Sequence, residues 1–179
     1  MKKIVVLFLF VTILFSGCSG QQEVVQKRIP YDFGMLDVEK TFNTLDEIAS
    51  DSTLIVHVTL QDQSEVISYG GADFSLSKLY IQKMYKGDAK LVNTTINLLE
   101  LSTIDIKKDQ GNGMYLLFLK PYEGPIVSNA YVISGVYQGR FKYDNDDKLI
   151  YDAEKYRGIN KFQQEFVKNF KSELAELQR

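Results

Sequence analysis

FSLSKLYIQKMYKG, residues Phe74 to Gly87, is the stretch that decides how this sequence folds. It is the longest unbroken run that reads as one β-strand. Phe74, Leu76, Tyr80 and Met84 share one face with Lys78 and Gln82. Leu79, Ile81 and Tyr85 share the other with Ser75, Ser77 and Lys83. Successive side chains of a strand point to opposite faces, so large groups on both faces imply burial on both sides for part of the length. A long, coiled barrel strand that changes partners midway has that property. Lys86-Gly87 stops it. Shorter strand-like runs lie before and after it, and an amphipathic helix closes the chain. The expected fold is mainly β with a C-terminal helix: a small closed antiparallel barrel of five to seven strands.

Upstream, Thr44-Leu45-Asp46-Glu47 has the spacing of a capping box, which predicts a short helix over Leu45 to Ser50 burying Leu45, Ile48 and Ala49. Ser52 to Gln61 alternates. Leu54, Val56, Val58 and Leu60 form the apolar set expected to face the core, and Thr53, Ile55, His57 and Thr59 form the opposite set. Ser68 to Asp73 contains Gly70-Gly71 and reads as a turn, since paired glycines accept positive φ. Downstream, Asn93 to Leu101 is a third strand and Lys107 to Gly113 a polar loop. Met114 to Leu119 is apolar on both faces, as in a strand buried inside the domain. Pro121 to Pro125 breaks it. Ala130 to Ser134 and Val136 to Tyr143 flank Gly135 as further strands, and Asp144 to Asp147 reads as a type I′-like turn into Lys148 to Tyr151. Asn160, with Gln163 three residues on, caps a final helix at about 160–178. Phe162, Phe166, Phe170, Leu174 and Leu177 make one stripe on it, expected to dock on a sheet or barrel mouth.

The N-terminal segment has a different character. Lys2 and Lys3 precede an apolar run, Ile4 to Phe15, broken only by Thr12, and Ser16-Gly17-Cys18 follows. A basic start, a dozen apolar residues and small residues at the end make a secretory signal over residues 1–17. The run is shorter than the roughly 20 residues that span a bilayer as a helix. Phe15-Ser16-Gly17-Cys18 resembles the bacterial lipobox, although that motif usually has Leu where Phe15 stands. The resemblance implies thioether lipidation of Cys18, cleavage before it, and a mature protein held by its acyl chains, palmitate among them, on the extracytoplasmic face of the membrane. Cys18 is the sole cysteine, so no disulfide can form within one chain and stability must come from the core. Residues 18–30 read as lipidated cysteine and polar tether, with an N-terminal arm packed on the domain as the alternative. Residues 31–179 read as one domain. Without Lys2 and Lys3 the 21 basic side chains become 19, against 23 acidic ones, a formal charge of −4. That balance argues against nucleic acid as a partner, because phosphate binding needs a basic face.

Leu79 to Gly87 resembles the core strand of netrin-like domains and tissue inhibitors of metalloproteinases, an alternating strand ending in a basic residue and glycine. Ser52 to Val58 is similar to their first barrel strand, and Gly113 to Leu119 to their glycine, aromatic, leucine-pair strand. The same pattern resembles small lipoproteins of Gram-positive bacteria. The shared implication is an OB-fold-like barrel, an architecture that binds oligonucleotides and oligosaccharides with a barrel face and its loops. The inhibitor chemistry does not transfer. In those inhibitors the N-terminal cysteine chelates zinc through its amine and carbonyl, whereas the sulfur of Cys18 would hold lipid and the cysteine has no disulfide partner.

The remaining residues hold little reaction chemistry. His57 is the only histidine and sits on a strand, where a solvent-side or cross-strand role is expected. One histidine and one lipidated cysteine make no transition-metal site, and no cofactor is implied. Asp144-Asn145-Asp146-Asp147 fails the calcium-loop pattern, since Leu149 and Lys155 stand where Gly and Glu are needed. Gly111-Asn112-Gly113 is too short to cradle a phosphate. The expected function is a non-enzymatic binding or interaction module at the membrane, with a protein or cell-envelope component as partner. The alternatives are a protease-inhibitor-like module working through the loops at Gly70-Gly71 and Pro121 to Pro125, or an envelope hydrolase using carboxylates such as Asp73 or Glu100.

Overall fold

The computed structural model describes residues 40–106, 113–151 and 162–177. The signal segment, Cys18, the tether, residues 31–39, the loop from Lys107 to Asn112 and the Asn160 cap lie outside the described residues. The elements run α1 (Leu45–Asp51), β1 (Leu54–Tyr69), β2 (Ala72–Lys86), a 3-10 turn (Ala89–Leu91), β3 (Thr95–Leu101), β4 (Met114–Pro121), β5 (Ala130–Ile133), β6 (Arg140–Tyr143), β7 (Leu149–Ile150) and α2 (Phe162–Leu177). The sheet order is β1-β2-β3-β5-β4-β6-β7, and β1 also pairs with β4. That extra pairing closes β1, β2, β3, β5 and β4 into a five-stranded, OB-fold-like barrel. All pairings are antiparallel except the short β3–β5 pair.

Strand β2 is the spine. It pairs with β1 from Ala72 to Lys86 and with β3 only from Phe74 to Tyr80. Its buried positions are Ser75, Ser77, Leu79 and Ile81, so the face with the serines points into the barrel. Gly87 ends the strand at φ 123°, and a Cβ there would fall 2.4 Å from the Cδ2 of Leu54. Only glycine fits that bend. β1 is longer than its alternation indicated and runs on to Tyr69, returning through Gly70 and Gly71 at φ 60° and 84°. Positive φ at both central residues is the type I′ turn that matches strand twist. Register shifts at Ile55/Val56, His57/Val58 and Leu60/Ser64 bend β1, which lets its first half close on β4 while its second half leaves the barrel with β2.

Two cores share the barrel wall. Leu54, Val56, Val58, Leu79, Ile81, Leu98, Leu117 and Leu119 fill the interior. Outside it, Ile48, Ile55, Leu116, Phe118, Phe141, Phe166 and Leu174 form a second cluster under α1 and α2. Ile55 is therefore fully buried, not set apart on a polar face, because the helices cover that side of β1. α1 starts as expected. The Thr44 hydroxyl accepts from Glu47 N at 3.2 Å, while the Glu47 carboxylate accepts from Asn43 N at 2.6 Å, one residue before the cap. α2 lays its phenylalanine stripe on the sheet: Phe166 stands edge-on to Phe141 and Phe118, with centroids at 4.9 and 5.9 Å.

Two turns differ from expectation. The strand expected over Val136 to Tyr143 is confined to Arg140–Tyr143, and Val136 to Gly139 is a tight turn closed by Gly139 N donating to Ser134 O at 3.1 Å. That turn carries the Gln138 side chain to the backbone of Phe42. The side-chain amide accepts from Phe42 N at 2.8 Å and donates to Phe42 O at 2.9 Å, pairing that backbone as a strand would. At Asp144 to Asp147 only Asp147 has positive φ, so the turn is not type I′. The Asp144 carboxylate instead accepts from the N–H groups of Asp146 and Lys148, both at 2.9 Å.

Candidate functional site

The parallel β3–β5 contact lasts two residue pairs, Asn97–Ala130 and Leu98–Tyr131. Beyond them β5 turns to β4, pairing Ile133 with Leu119, while β3 stays with β2 as far as Leu101 opposite Phe74. The strands diverge, and a cleft of about 180 Å³ opens between them. Phe74, Leu99 and Leu101 line one wall, Val132, Ile133 and Val136 the other, with Tyr122 and Ile104 completing it. A dry apolar cavity of about 150 Å³ holds a benzene ring, so this cleft suits one aromatic or branched aliphatic group.

The cleft opens onto an apolar surface. Ile67, Phe74 and Leu101 are directly opposite one another on three adjacent strands, so their side chains form one row on the outer face. Leu76 and Leu99 form the row beside it. Leu101 is 37% exposed although it is the end of this row. Val136, on the far wall, is held at φ 60°. A β-branched residue seldom takes that conformation, and such outliers concentrate at ligand sites.

Glu100 is the only charged residue of the lining, and its charge is already engaged. Oε1 lies 3.2 Å from Nη1 of Arg140, with the two side chains 7% and 2% exposed. Oε2 accepts from Ile106 N at 2.9 Å, and the same Arg140 nitrogen donates to Ile104 O at 3.1 Å. The pair pins the turn after β3 across the end of the barrel. Beside it the Ser75 hydroxyl donates to Asp105 Oδ2 and lies 3.2 Å from the Ser102 hydroxyl. Asp105 Oδ1 and the Ser77 hydroxyl are buried with no partner among the described residues. Glu100 and Arg140 thus engage each other and the turn after β3, and apart from Glu100 and the Tyr122 hydroxyl the lining of the cleft is apolar.

The residues singled out in the sequence scatter. Asp73 accepts from the Ser68 hydroxyl at 2.6 Å in the exposed β1–β2 hairpin and does not line the cleft, so it is not brought together with Glu100 there. Gly70-Gly71 is the tip of that hairpin. Of the Pro121 to Pro125 segment, Tyr122 reaches the cleft, its hydroxyl accepting from Ile126 N at 3.3 Å. His57 is on the helix-covered side, its ring 4.4 Å from that of Tyr143 and its Nε2 buried without a partner among the described residues. Burial holds the His57 pKa below its ordinary value against the opposing charge of Asp147, with Lys83 lowering it further. Burial likewise pushes the Tyr143 phenol up. Among the described residues, no three His, Cys, Asp or Glu side chains gather to hold a metal ion, and no helix is long and apolar enough to cross a membrane.

Sequence reading missed Arg140, Asp105 and the cleft itself. Arg140 carried a usable signal: a lone guanidinium beside Phe141 in a strand-like run needs a buried carboxylate. The cleft carried none, because Leu99, Leu101, Val132 and Val136 are indistinguishable from core residues in one dimension.

The fold and the site together define a small OB-fold-like barrel with an apolar cleft where β3 and β5 part. Compared with known proteins, the chain matches no family model and no curated protein sequence.

Proposed function

We propose that this chain is a non-enzymatic binding module of a Gram-positive surface lipoprotein. Cys18 would carry the lipid and hold the barrel on the extracytoplasmic face of the membrane. The netrin-like resemblance is part of the same reading, for its fold and not for its protease inhibition. The ligand is an apolar group presented by a protein or cell-envelope component, an aromatic or branched aliphatic side chain being the natural size.

One observation carries this reading: the cleft between β3 and β5 is apolar, is continuous with the exposed row at Leu101, and has its one carboxylate already paired with Arg140. Ligand sites are concave and mostly apolar, with a few polar groups that set orientation. A hydrolase working through paired carboxylates needs both of them reachable by substrate, and Asp73 lies outside the cleft. Capture from cell-envelope extract on immobilised protein tests the proposal, wild type against Leu101→Asp, with circular dichroism to show both are folded. A ligand held by the wild type and lost at least about tenfold in the variant, about 1.4 kcal/mol, is the expected outcome. Equal capture by both proteins places the ligand elsewhere. Turnover of a model glycan or peptide by the wild type would replace the binding reading with the hydrolase.

A further inference from the structure

We propose that the chain pairs with a second copy of itself through the outer edge of β1, Ser64 to Tyr69, in an antiparallel register centred on Val66. β1 pairs with β4 only over Leu54–Thr59. From Ser64 to Tyr69 it has β2 on one side and no strand among the described residues on the other.

The hydrogen-bonding direction of this edge follows from its neighbour. Asp73 O accepts from Ser102 N at 2.9 Å, so the Asp73 backbone points toward β3. Its cross-strand mate Ser68 therefore makes no ladder bonds to β2 and points its N–H and C=O outward. Alternation puts Val66 and Ser64 in the same state. Three residues, each with one donor and one acceptor, present six backbone groups to solvent. Strand edges are normally guarded by charged side chains, Lys above all, by Pro or by a bulge; between Ser64 and Tyr69 the one charge is Glu65. Gln61 to Gly71 contains no Lys and no Pro, and the register shift lies at its base between Leu60 and Ser64. Val66 is 64% exposed and Tyr69 49%.

The edge complements itself. With the two-fold at Val66, Val66 exchanges both bonds with its own mate and Ser64 with Ser68 in each direction, so all six groups are used. Glu65 then stands opposite Ile67 of the other copy. A two-fold at Glu65 would set two carboxylates directly opposite, which is destabilising. A two-fold at Ile67 would leave Ser64 facing the Gly70 turn and lose two bonds. Charge and bond count thus select one register. In it the two sheets become continuous, and the Ile67–Phe74–Leu101 row of one copy is followed on the same face by Glu65, Leu76 and Leu99 of the other.

The full chain with Cys18→Ser, purified in detergent, gives a clean test because any introduced cysteine is then the only one. Residues exchanging both bonds have Cα atoms about 5.5 Å apart, within disulfide reach. Val66→Cys should form a covalent dimer under mild oxidant. Ile67→Cys, which would face Glu65, should not. A mixture of Ser64→Cys and Ser68→Cys chains should cross-link where each alone does not. Sedimentation at about 100 μM should show a dimer for the unsubstituted chain, given a Kd in the micromolar range, and a folded monomer for Val66→Lys. A monomeric unsubstituted chain, an unchanged dimer in Val66→Lys, or cross-linking at Ile67 in preference to Val66 would each overturn the proposal.

Discussion

Single side chains fix this fold at points where backbone groups have no ladder. Gln138 is the clearest, because one amide satisfies both the N–H and the C=O of buried Phe42. Gln138→Met keeps the length and removes both partners. It should cost about 2–4 kcal/mol in denaturant unfolding, the penalty for leaving two buried polar groups unmade. His57 acts through protonation. Its folded pKa lies below the ordinary 6.5 because burial disfavours the imidazolium. The unfolded chain therefore binds more protons at and below that pH, and stability falls as pH falls through the ordinary value toward the folded one. The urea midpoint should drop between about pH 7.5 and pH 5.5, a window in which His is the side chain that titrates. His57→Phe keeps the ring against Tyr143 and should flatten that slope. A slope unchanged by the substitution would assign the pH dependence to other groups.

At the scale of elements, the strands carry more than one partner and the helices supply the second core. Met114 to Leu119 was legible as doubly buried because both its faces are apolar. Ile55 was not, since its neighbours Thr53, His57 and Thr59 gave that face of β1 a polar look. The outer core under α1 and α2 decides the matter by enclosing it. α2 in turn depends on its stripe: Phe166 is 2% exposed between Phe118 and Phe141. Phe166→Asp would set an uncompensated charge there and should cost on the order of 3 kcal/mol or more. A melting temperature equal to that of the wild type would show that α2 is not needed to close the outer core.

For the whole molecule, the proposed lipid anchor determines where the barrel works. A chain with its only cysteine at the end of a signal-like segment should take up a radiolabelled palmitate precursor in the cell. Cys18→Ala should abolish the label, because the thiol is the group that takes the lipid. Labelling that survives the substitution would remove the lipoprotein reading while leaving the barrel and its cleft as they stand.

The sequence alone determined the strand spine at Phe74 to Gly87, the doubly buried strand, the Thr44 helix cap and the phenylalanine stripe. Each of these is a periodicity or a local backbone requirement, and periodicity is written in one dimension. Closure and the site were decided only in three. The β1–β4 pairing joins residues about sixty apart, Leu54 with Leu119 and Thr59 with Met114, and nothing local encodes that meeting. The Glu100–Arg140 pair spans forty residues and forms because the end of β3 and the start of β6 come together in space. The cleft exists because β3 and β5 hold each other for two residue pairs and then separate. Its walls are ordinary apolar residues whose exposure follows from where the strands part.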